Sequence, residues 1–367
     1  MIQQKPHHIT ILSVNGSDST GGSGVQADIK TMSALGAYAV SAITSITIQN
    51  TLGIQDFYDL PADVVLGQIE AIINDVQPQV VKIGLVRRAD VLAQLAGALQ
   101  HYRPSAIIYD PVVVSTNGEL LLTSDVVDVM KRMLLPLCSL VVLKKADAEH
   151  VLGCSIKSAA DVEQSVKSML ALGSTSVLMH CGSMLAGSYT DVFASREGDK
   201  VQYLTNLCGD IFAQNSHGRS GNFSAAIAAH VSKGEPMQEA VGNASAYIKH
   251  LVQDNEALTG RASELFAEFV NEIAANYATH NDVKFYADRL NVSSTYLAQV
   301  SKRIAGKAPK SIIDDYVLAQ IKALLTTSAQ TVQEIAYSLG FGSQAHFSKF
   351  FRKMTGQTPS EYRRNYR

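Results

Sequence analysis

Asn15-Gly-Ser-Asp-Ser-Thr-Gly-Gly-Ser-Gly24 is the first stretch of the chain whose residue types suggest chemistry. Glycines let backbone N–H groups approach a ligand closely, so such a loop between a strand and a helix can wall a small-molecule site. It lacks the GKS or GKT ending of a P-loop and the spacing of a dinucleotide fingerprint, so alone it also fits a tight strand-to-helix turn. The four cysteines, Cys138, Cys154, Cys181 and Cys208, form no CxxC pair. That pattern suits reduced thiols in a cytosol and supplies neither a disulfide frame nor a zinc site. Charge is unevenly spread. From Asn281 onward there are 13 Lys and Arg against 6 Asp and Glu, a net of +7 over 87 residues, whereas residues 1–280 carry −9. The formal total of −2 therefore hides an acidic body and a basic tail. The tail suits a polyanion partner, or simply a solvated basic surface.

The elements that must position these residues can be read from hydrophobic pattern. A chain of 367 residues, 46% apolar and 17% charged, exceeds one ordinary core and implies two or more domains. Met1 to Thr10 is polar, with two histidines where a signal peptide needs an apolar core. The longest apolar run, Met133 to Leu143, is interrupted by Pro136 and reads as a buried strand; no segment is long enough to span a bilayer. A cytoplasmic protein is expected. Strand-like runs Ile9–Val14, Ala39–Ile48, Val80–Ile83, Ala106–Tyr109, Leu140–Leu143 and Val177–Met179 alternate with helical stretches such as Val25–Leu35, Ala62–Asn74 and Val91–Leu99. This alternation predicts a mainly parallel sheet covered on both faces, with ligands beyond the carboxyl ends of the strands.

The informative string is longer than the loop. Asn15-Gly-Ser-Asp18, Gly21-Gly-Ser-Gly-Val-Gln-Ala-Asp28, Ser33-Ala-Leu-Gly-Ala-Tyr38 and Ile48-Gln-Asn-Thr51 stand in order. Lys82-Ile-Gly-Leu85, Asp110-Pro-Val-Val113 and Asn215-Ser-His-Gly218 follow. Over roughly Ile9 to Val252 the chain resembles the hydroxymethylpyrimidine/phosphomethylpyrimidine kinases of thiamin biosynthesis, in the ribokinase superfamily. The resemblance implies a three-layer α/β/α fold and a pocket for an aminopyrimidine. It assigns Gly16 and Gln49 to the pyrimidine face, where a side-chain amide can pair as donor and acceptor together. Ser23, Thr47, Leu85 and Val112 fall at the family's other pocket positions, with changed residue types at the first three.

The phosphoryl-transfer side departs from that family. Its GTGC stretch, whose cysteine acts as base, corresponds to Gly218-Arg219-Ser220-Gly221, so glycine stands at the base position. Its TPN…E segment aligns with Val142-Leu-Lys144 and Asp147, and its VKGG stretch with Met179-His180-Cys181-Gly182. Its lysine-bearing loop reads Ser115-Thr116-Asn117-Gly118. Phosphoryl transfer needs cradled phosphates, neutralised charge and a deprotonated hydroxyl. The pattern implies a binding pocket without that machinery, although Arg219 and Lys144 could meet phosphate in another way.

The C-terminal stretch repeats itself. Leu290, Val292, Ser293, Leu297, Val300, Ile304, Gly306 and Pro309 align with Leu339, Phe341, Ser343, Phe347, Phe350, Met354, Gly356 and Pro359. The offset is 49 for the first two and 50 thereafter, consistent with one residue inserted in a turn. Each copy has a short helix, a turn, a Ser at an N-cap and an apolar stripe ending at Gly, which makes two helix-turn-helix units. Ile313, Val317, Ile321 and Leu324 have the spacing of a connecting helix, and Leu265–Tyr277 that of a leading one. From about Glu264 to Arg367 the chain resembles the AraC/XylS DNA-binding domain. The resemblance implies that Ser294, Thr295 and Gln299 of one unit, and Gln344, Ala345, His346 and Lys349 of the other, face bases. Lys302, Arg303, Arg352 and Lys353 would then meet phosphates. Leu297, Val300, Phe347, Phe350 and Phe351 are expected to be core.

The expected architecture is an α/β, three-layer α/β/α ribokinase-like domain over residues 1–252, a linker over 253–261, and an all-α domain with two helix-turn-helix units over 262–367. The expected function is a transcription regulator that senses hydroxymethylpyrimidine or its phosphate through an inactive kinase domain. Alternatives are a bifunctional kinase and regulator, a vitamin B6-type ligand sensor, or a domain serving only dimerisation. No catalytic residue, metal or cofactor is assigned. The expected partners are double-stranded DNA, a small aminopyrimidine and a second copy of the chain in a homodimer, with no membrane.

Overall fold

The computed structural model describes residues 10–50, 52–115, 118–181, 191–197, 200–205, 219–254 and 261–366. The chain divides into two compact units, Met1–Glu256 and Ala257–Arg367.

In the first unit the elements run β1 (Thr10–Asp18), α1 (Gly24–Ala34), β2 (Tyr38–Asn50), β3 (Gly53–Asp59), α2 (Ala62–Asp75), β4 (Val80–Ile83), α3 (Ala89–Tyr102), β5 (Ala106–Tyr109) and α4 (Ser124–Val129). They continue with β6 (Leu140–Lys144), α5 (Lys145–Leu152), α6 (Ala159–Ala171), β7 (Ser176–His180), β8 (Asp191–Glu197), β9 (Lys200–Thr205), α7 (Arg219–Ser232) and α8 (Met237–Asp254). Among the described residues nine strands form one sheet, in the order β3-β2-β1-β4-β5-β6-β7-β8-β9. The six strands from β2 to β7 pair in parallel, and β3, β8 and β9 close the two edges antiparallel. The parallel centre follows the strand–helix alternation of the sequence. The antiparallel edge strands were not legible there.

Period-2 alternation distributes the strand residues between two cores. Leu12, Val14, Val81 and Ile83 pack with Ile69 of α2, Leu95 of α3 and Val126 of α4. Ile11, Val80, Ile108 and Leu178 pack on the other face with Met32 of α1, Phe223 and Ala225–Ala229 of α7, and Val241 of α8. The small side chains of α7 allow it to lie close against the sheet. Two sequence expectations need correction. The glycine-rich stretch is strand as far as Asp18, because Ser17 and Asp18 still pair with Ile46 and Thr47. Met133–Leu143 is not one strand. It splits into a π-turn (Met130–Leu134), a 3-10 turn (Leu135–Leu137) and then β6. Pro136 has no N–H for a ladder, so the run turns before pairing can begin.

The second unit is all helical: α9 (Ala262–Asn276), α10 (Val283–Arg289), α11 (Ser294–Ala305), α12 (Pro309–Thr327), α13 (Val332–Ser338), α14 (Gln344–Thr355) and α15 (Pro359–Tyr366). The repeat appears in its caps. Ser293 Oγ accepts the Tyr296 N–H at 3.1 Å, and Ser343 Oγ accepts the His346 N–H at 3.2 Å. Gly306 and Gly356 end α11 and α14 in the left-handed region. The turns also correspond: Asn291 (φ 53°) in the first copy matches Gly340 (φ 73°) in the second. Only the second position is sterically closed, because a Cβ on Gly340 would lie 2.0 Å from the Ala278 carbonyl oxygen. On the connecting helix α12 the buried stripe is Ile313, Val317, Ile321 and Leu325, so Leu325 takes the place expected for the half-buried Leu324.

Candidate functional site

The six candidate pocket positions converge on one edge of the sheet. Gly16 lies near the end of β1, Thr47 and Gln49 near the end of β2, Leu85 just beyond β4 and Val112 just beyond β5. These are four adjacent parallel strands, and Ser23 directly precedes the helix α1, which follows β1. Gly16 and Leu85 are buried, and Gln49 and Val112 are half-buried. The loop between β1 and α1 is held from inside. The Asp18 carboxylate accepts from the Thr20 N–H and hydroxyl, both at 2.8 Å, and from the Ser23 N–H and hydroxyl at 2.8 and 2.7 Å. Thr47 Oγ1 donates to the Ser17 carbonyl at 2.9 Å, and Ser19 Oγ donates to the Gln49 carbonyl at 2.8 Å. The Ser23 hydroxyl is thus engaged in loop structure, and the Thr47 hydroxyl in a bond from β2 to β1. Gly24 adopts φ +63°, and a Cβ there would meet the Gly16 carbonyl oxygen at 2.3 Å. This contact explains a glycine at that point of the string.

The opposite end of the same edge is built differently. Gly221 lies in the first turn of α7, where a Cβ would meet no described atom within 4 Å. Next to it, Ser220 Oγ donates to both oxygens of buried Asp110 at 3.1 Å, and Ser224 Oγ donates to the same carboxylate at 2.9 Å. Asp147 is equally committed: its carboxylate accepts N–H bonds from Val113 (3.1 Å), Val114 (2.8 Å) and Lys144 (3.2 Å). Burial pushes its carboxyl up to about 6 against the opposing pull of the Lys144 charge and the Val114 and Lys144 N–H groups. Lys144 Nζ donates to the Val114 carbonyl at 3.0 Å. His180 pairs through Nδ1 with Asp191 at 2.6 Å, and burial raises the Cys181 thiol pKa. Asn215–Gly218, Thr116, Asn117 and Gly182 lie outside the described residues, as does the side chain of Arg219. Among the described residues no group of His, Cys, Asp and Glu could hold a metal ion.

One buried feature escaped sequence reasoning. Lys82 (1% exposed) lies in an otherwise apolar strand, with Nζ 2.8 and 2.9 Å from the two oxygens of Asp28 on α1 (0% exposed). The available signal was a lysine inside a four-residue strand buried at every position.

In the helical unit, Ser294, Thr295, Lys302 and Arg303 are exposed on α11 and Gln299 is half-buried. Gln344, Ala345, His346, Lys349, Arg352 and Lys353 are all exposed on α14. Leu297, Val300, Phe347 and Phe351 are fully buried on the other faces. Phe350 is half-buried, and Ile304 is 44% exposed where its copy of the stripe runs out. The ring of His346 packs edge-on against Phe341. Each second helix therefore presents a polar face and keeps an apolar one inside. No helix of the described residues is long and apolar enough to cross a membrane.

Comparison with known proteins accords with this division. The phosphomethylpyrimidine kinase family model matches residues 18–264, and a helix-turn-helix domain model matches residues 286–365. The chain is 40% identical over 238 residues to the hydroxymethylpyrimidine/phosphomethylpyrimidine kinase of Rhizobium meliloti, covering 65% of this chain and 88% of that protein. It is 34% identical over 239 residues to the thiamine biosynthesis bifunctional protein ThiED of Geobacter sulfurreducens, of which it spans 48%. The crystal structure of phosphomethylpyrimidine kinase from Clostridium difficile matches with a TM-score of 0.58 and 32% identity, covering 66% of this chain and 99% of that one. Pyridoxal kinase from Staphylococcus aureus, at 24% identity and a TM-score of 0.61, shares the fold over 69% of this chain and 90% of its own length. The first unit thus has the ribokinase-like fold, and the helical unit, being of the AraC type, implies DNA binding. The chain belongs to the phosphomethylpyrimidine kinase family and carries, beyond its kinase domain, an AraC-type helix-turn-helix domain.

Proposed function

We propose that this protein is a ligand-responsive transcription regulator whose kinase-family domain binds hydroxymethylpyrimidine or its phosphate and does not phosphorylate it. One contrast carries the reading. The pyrimidine-side positions are gathered at four adjacent strand ends, while the base position is Gly221 and the neighbouring acids are bonded internally. A base must be able to reach the hydroxyl it deprotonates, and glycine has nothing to take a proton. Gly16, Ser23, Thr47, Gln49, Leu85 and Val112 would line the pocket. The polar faces of α11 and α14 would read a duplex, with Lys302, Arg303, Arg352 and Lys353 on phosphates. The ligand must bind two states of the protein unequally to change DNA affinity. A cytoplasmic homodimer, with a linker near 253–261, completes the proposal. Exposed Ile46, Ile48 and Tyr58 on the β2–β3 edge support a second copy.

The test is binding without ATP. Hydroxymethylpyrimidine or its phosphate should raise the melting temperature and shift DNA affinity in a gel-shift titration, and Gln49→Ala should abolish both effects. No thermal shift with these ligands would reject the sensor reading, and a shift with pyridoxal alone would move it to vitamin B6 chemistry. The kinase relatives support a second reading, in which the chain is a bifunctional kinase and regulator. ATP-dependent phosphate product, lost in Gln49→Ala, would establish that instead.

A further inference from the structure

The pyrimidine-side positions lie on separate elements, and one side chain ties the backbones of two of them, Gly16 and Leu85, together. Asn15 is 6% exposed and sits on β1 directly before Gly16. Its Oδ1 accepts two backbone N–H bonds, from Gly16 and from Leu85, each at 2.9 Å. Its Nδ2 donates to Asp28 Oδ2 at 3.1 Å. Asp28 in turn holds Lys82 at 2.8 Å and accepts from Ser13 Oγ at 2.6 Å. Ser13, Asp28 and Lys82 are each 1% exposed or less. Alternation explains why they meet: Ile11 and Val80 face the core containing α1, so Ser13, Asn15 and Lys82, at even spacing from them, face the same helix.

We infer that Asn15 is the positioning residue of the ligand pocket, linking Gly16 and Leu85 to the buried Asp28–Lys82 pair without touching the ligand. The inference rests on the pocket reading proposed above. An amide suits the place because the site needs an acceptor for two N–H groups and a donor for a carboxylate in one planar group. A second carboxylate beside Asp28 would face it as a like charge. The position also has no spare volume on the Leu85 side. A Cβ on Gly84 would lie 2.3 Å from Asn15 Cγ, so the loop after β4 is shaped around this side chain. Removing the amide strands two buried backbone N–H groups at the pocket wall, and a buried unpaired donor forces local rearrangement or costs stability.

The test uses the full-length chain and two readouts. The first is hydrogen exchange at the Gly16 and Leu85 amides, which needs no ligand. Asn15→Ala should speed exchange at these two amides by at least tenfold, while the protection of β6 and β7 stays as in the parent. The second is the dissociation constant for hydroxymethylpyrimidine, measured well below the melting transition, which should rise at least tenfold. Because Asn15→Ala could unfold the domain, the double swap Asn15→Asp with Asp28→Asn keeps one carboxylate in the cluster with Lys82 and leaves a donor and an acceptor between positions 15 and 28. The swap should recover most of the lost protection and affinity. Unchanged exchange at both amides in Asn15→Ala overturns the inference whatever the ligand does. Faster exchange with unaltered affinity also overturns it, leaving Asn15 a purely structural residue. If the parent chain binds no aminopyrimidine, the pocket reading fails separately and the exchange result still decides whether Asn15 holds this wall.

Discussion

The two units differ in the reach of the contacts that define their candidate sites. In the helical unit the contacts that set α11 and α14 are local: Ser293 and Ser343 cap them through N–H groups three residues on, and Gly306 and Gly356 end them. In the kinase-family unit they span long stretches of chain, as Lys82 does to Asp28, Asn15 to Leu85, and Ser224 to Asp110. A DNA-reading helix needs a rigid local scaffold with a polar outer face. A ligand pocket at the end of a parallel sheet is assembled from strands that are remote in sequence, so its alignment depends on buried polar bonds between them. The difference predicts where each unit is fragile.

The largest effect should come from the long-range network. Lys82→Met leaves the Asp28 carboxylate buried without its cation, and should cost about 3–5 kcal/mol, read by urea unfolding of the sheet domain. A loss comparable to that of a surface substitution would remove the contrast between the units. The helical unit has one position that behaves like the other unit. Gly340→Ala must place a methyl against the Ala278 carbonyl with φ at +73°, and should cost about 2–4 kcal/mol and DNA binding with it. Asn291→Gly at the equivalent turn of the first copy should change stability by less than about 1 kcal/mol. Equal costs at the two turns would show that local conformation, not packing, governs both.

A pH experiment addresses the buried Asp147 carboxylate. Its folded carboxyl is raised to about 6 from an ordinary 3.8, chiefly by burial. The folded state therefore binds the proton more tightly than the unfolded chain does. The parent should gain stability relative to Asp147→Asn as pH falls from 7 through 6 towards 4, by up to about 3 kcal/mol. A difference between the two that is flat over this range would mean that the acid is not strained by its burial. The smallest effects belong to the caps. Ser293→Ala and Ser343→Ala should each cost about 1 kcal/mol, in thermal unfolding of the helical unit. Losses several times larger would make these caps more than local.

How much could be read in advance follows the same division. Both helix-turn-helix copies were visible down to cap and terminator, because a Ser, an apolar stripe and a Gly act within one or two turns of helix. The parallel strands were visible because double burial leaves continuous apolar runs such as Val80–Val81 and Ile107–Ile108. The edge strands β3, β8 and β9 were not. Gly53–Asp59 is mostly exposed or half-buried, and becomes a strand by pairing with β2. Met133–Leu143 misled because an apolar run records burial without recording conformation.

By itself the sequence determined the two families, the order of their motifs, the glycine at position 221, and the polar residues that occupy the outer faces of α11 and α14. These follow from residue type and spacing, which carry local propensity and periodicity. Only the tertiary structure decided which groups are already engaged. It showed that the Ser23 hydroxyl bonds within the loop, that the Thr47 hydroxyl bonds across to β1, that Asp110 and Asp147 are bonded internally, and that Asn15 spans β1 and the loop after β4. The physical reason is that a buried hydrogen bond depends on distance and direction between atoms the chain brings together only on folding. No spacing along the sequence encodes that distance.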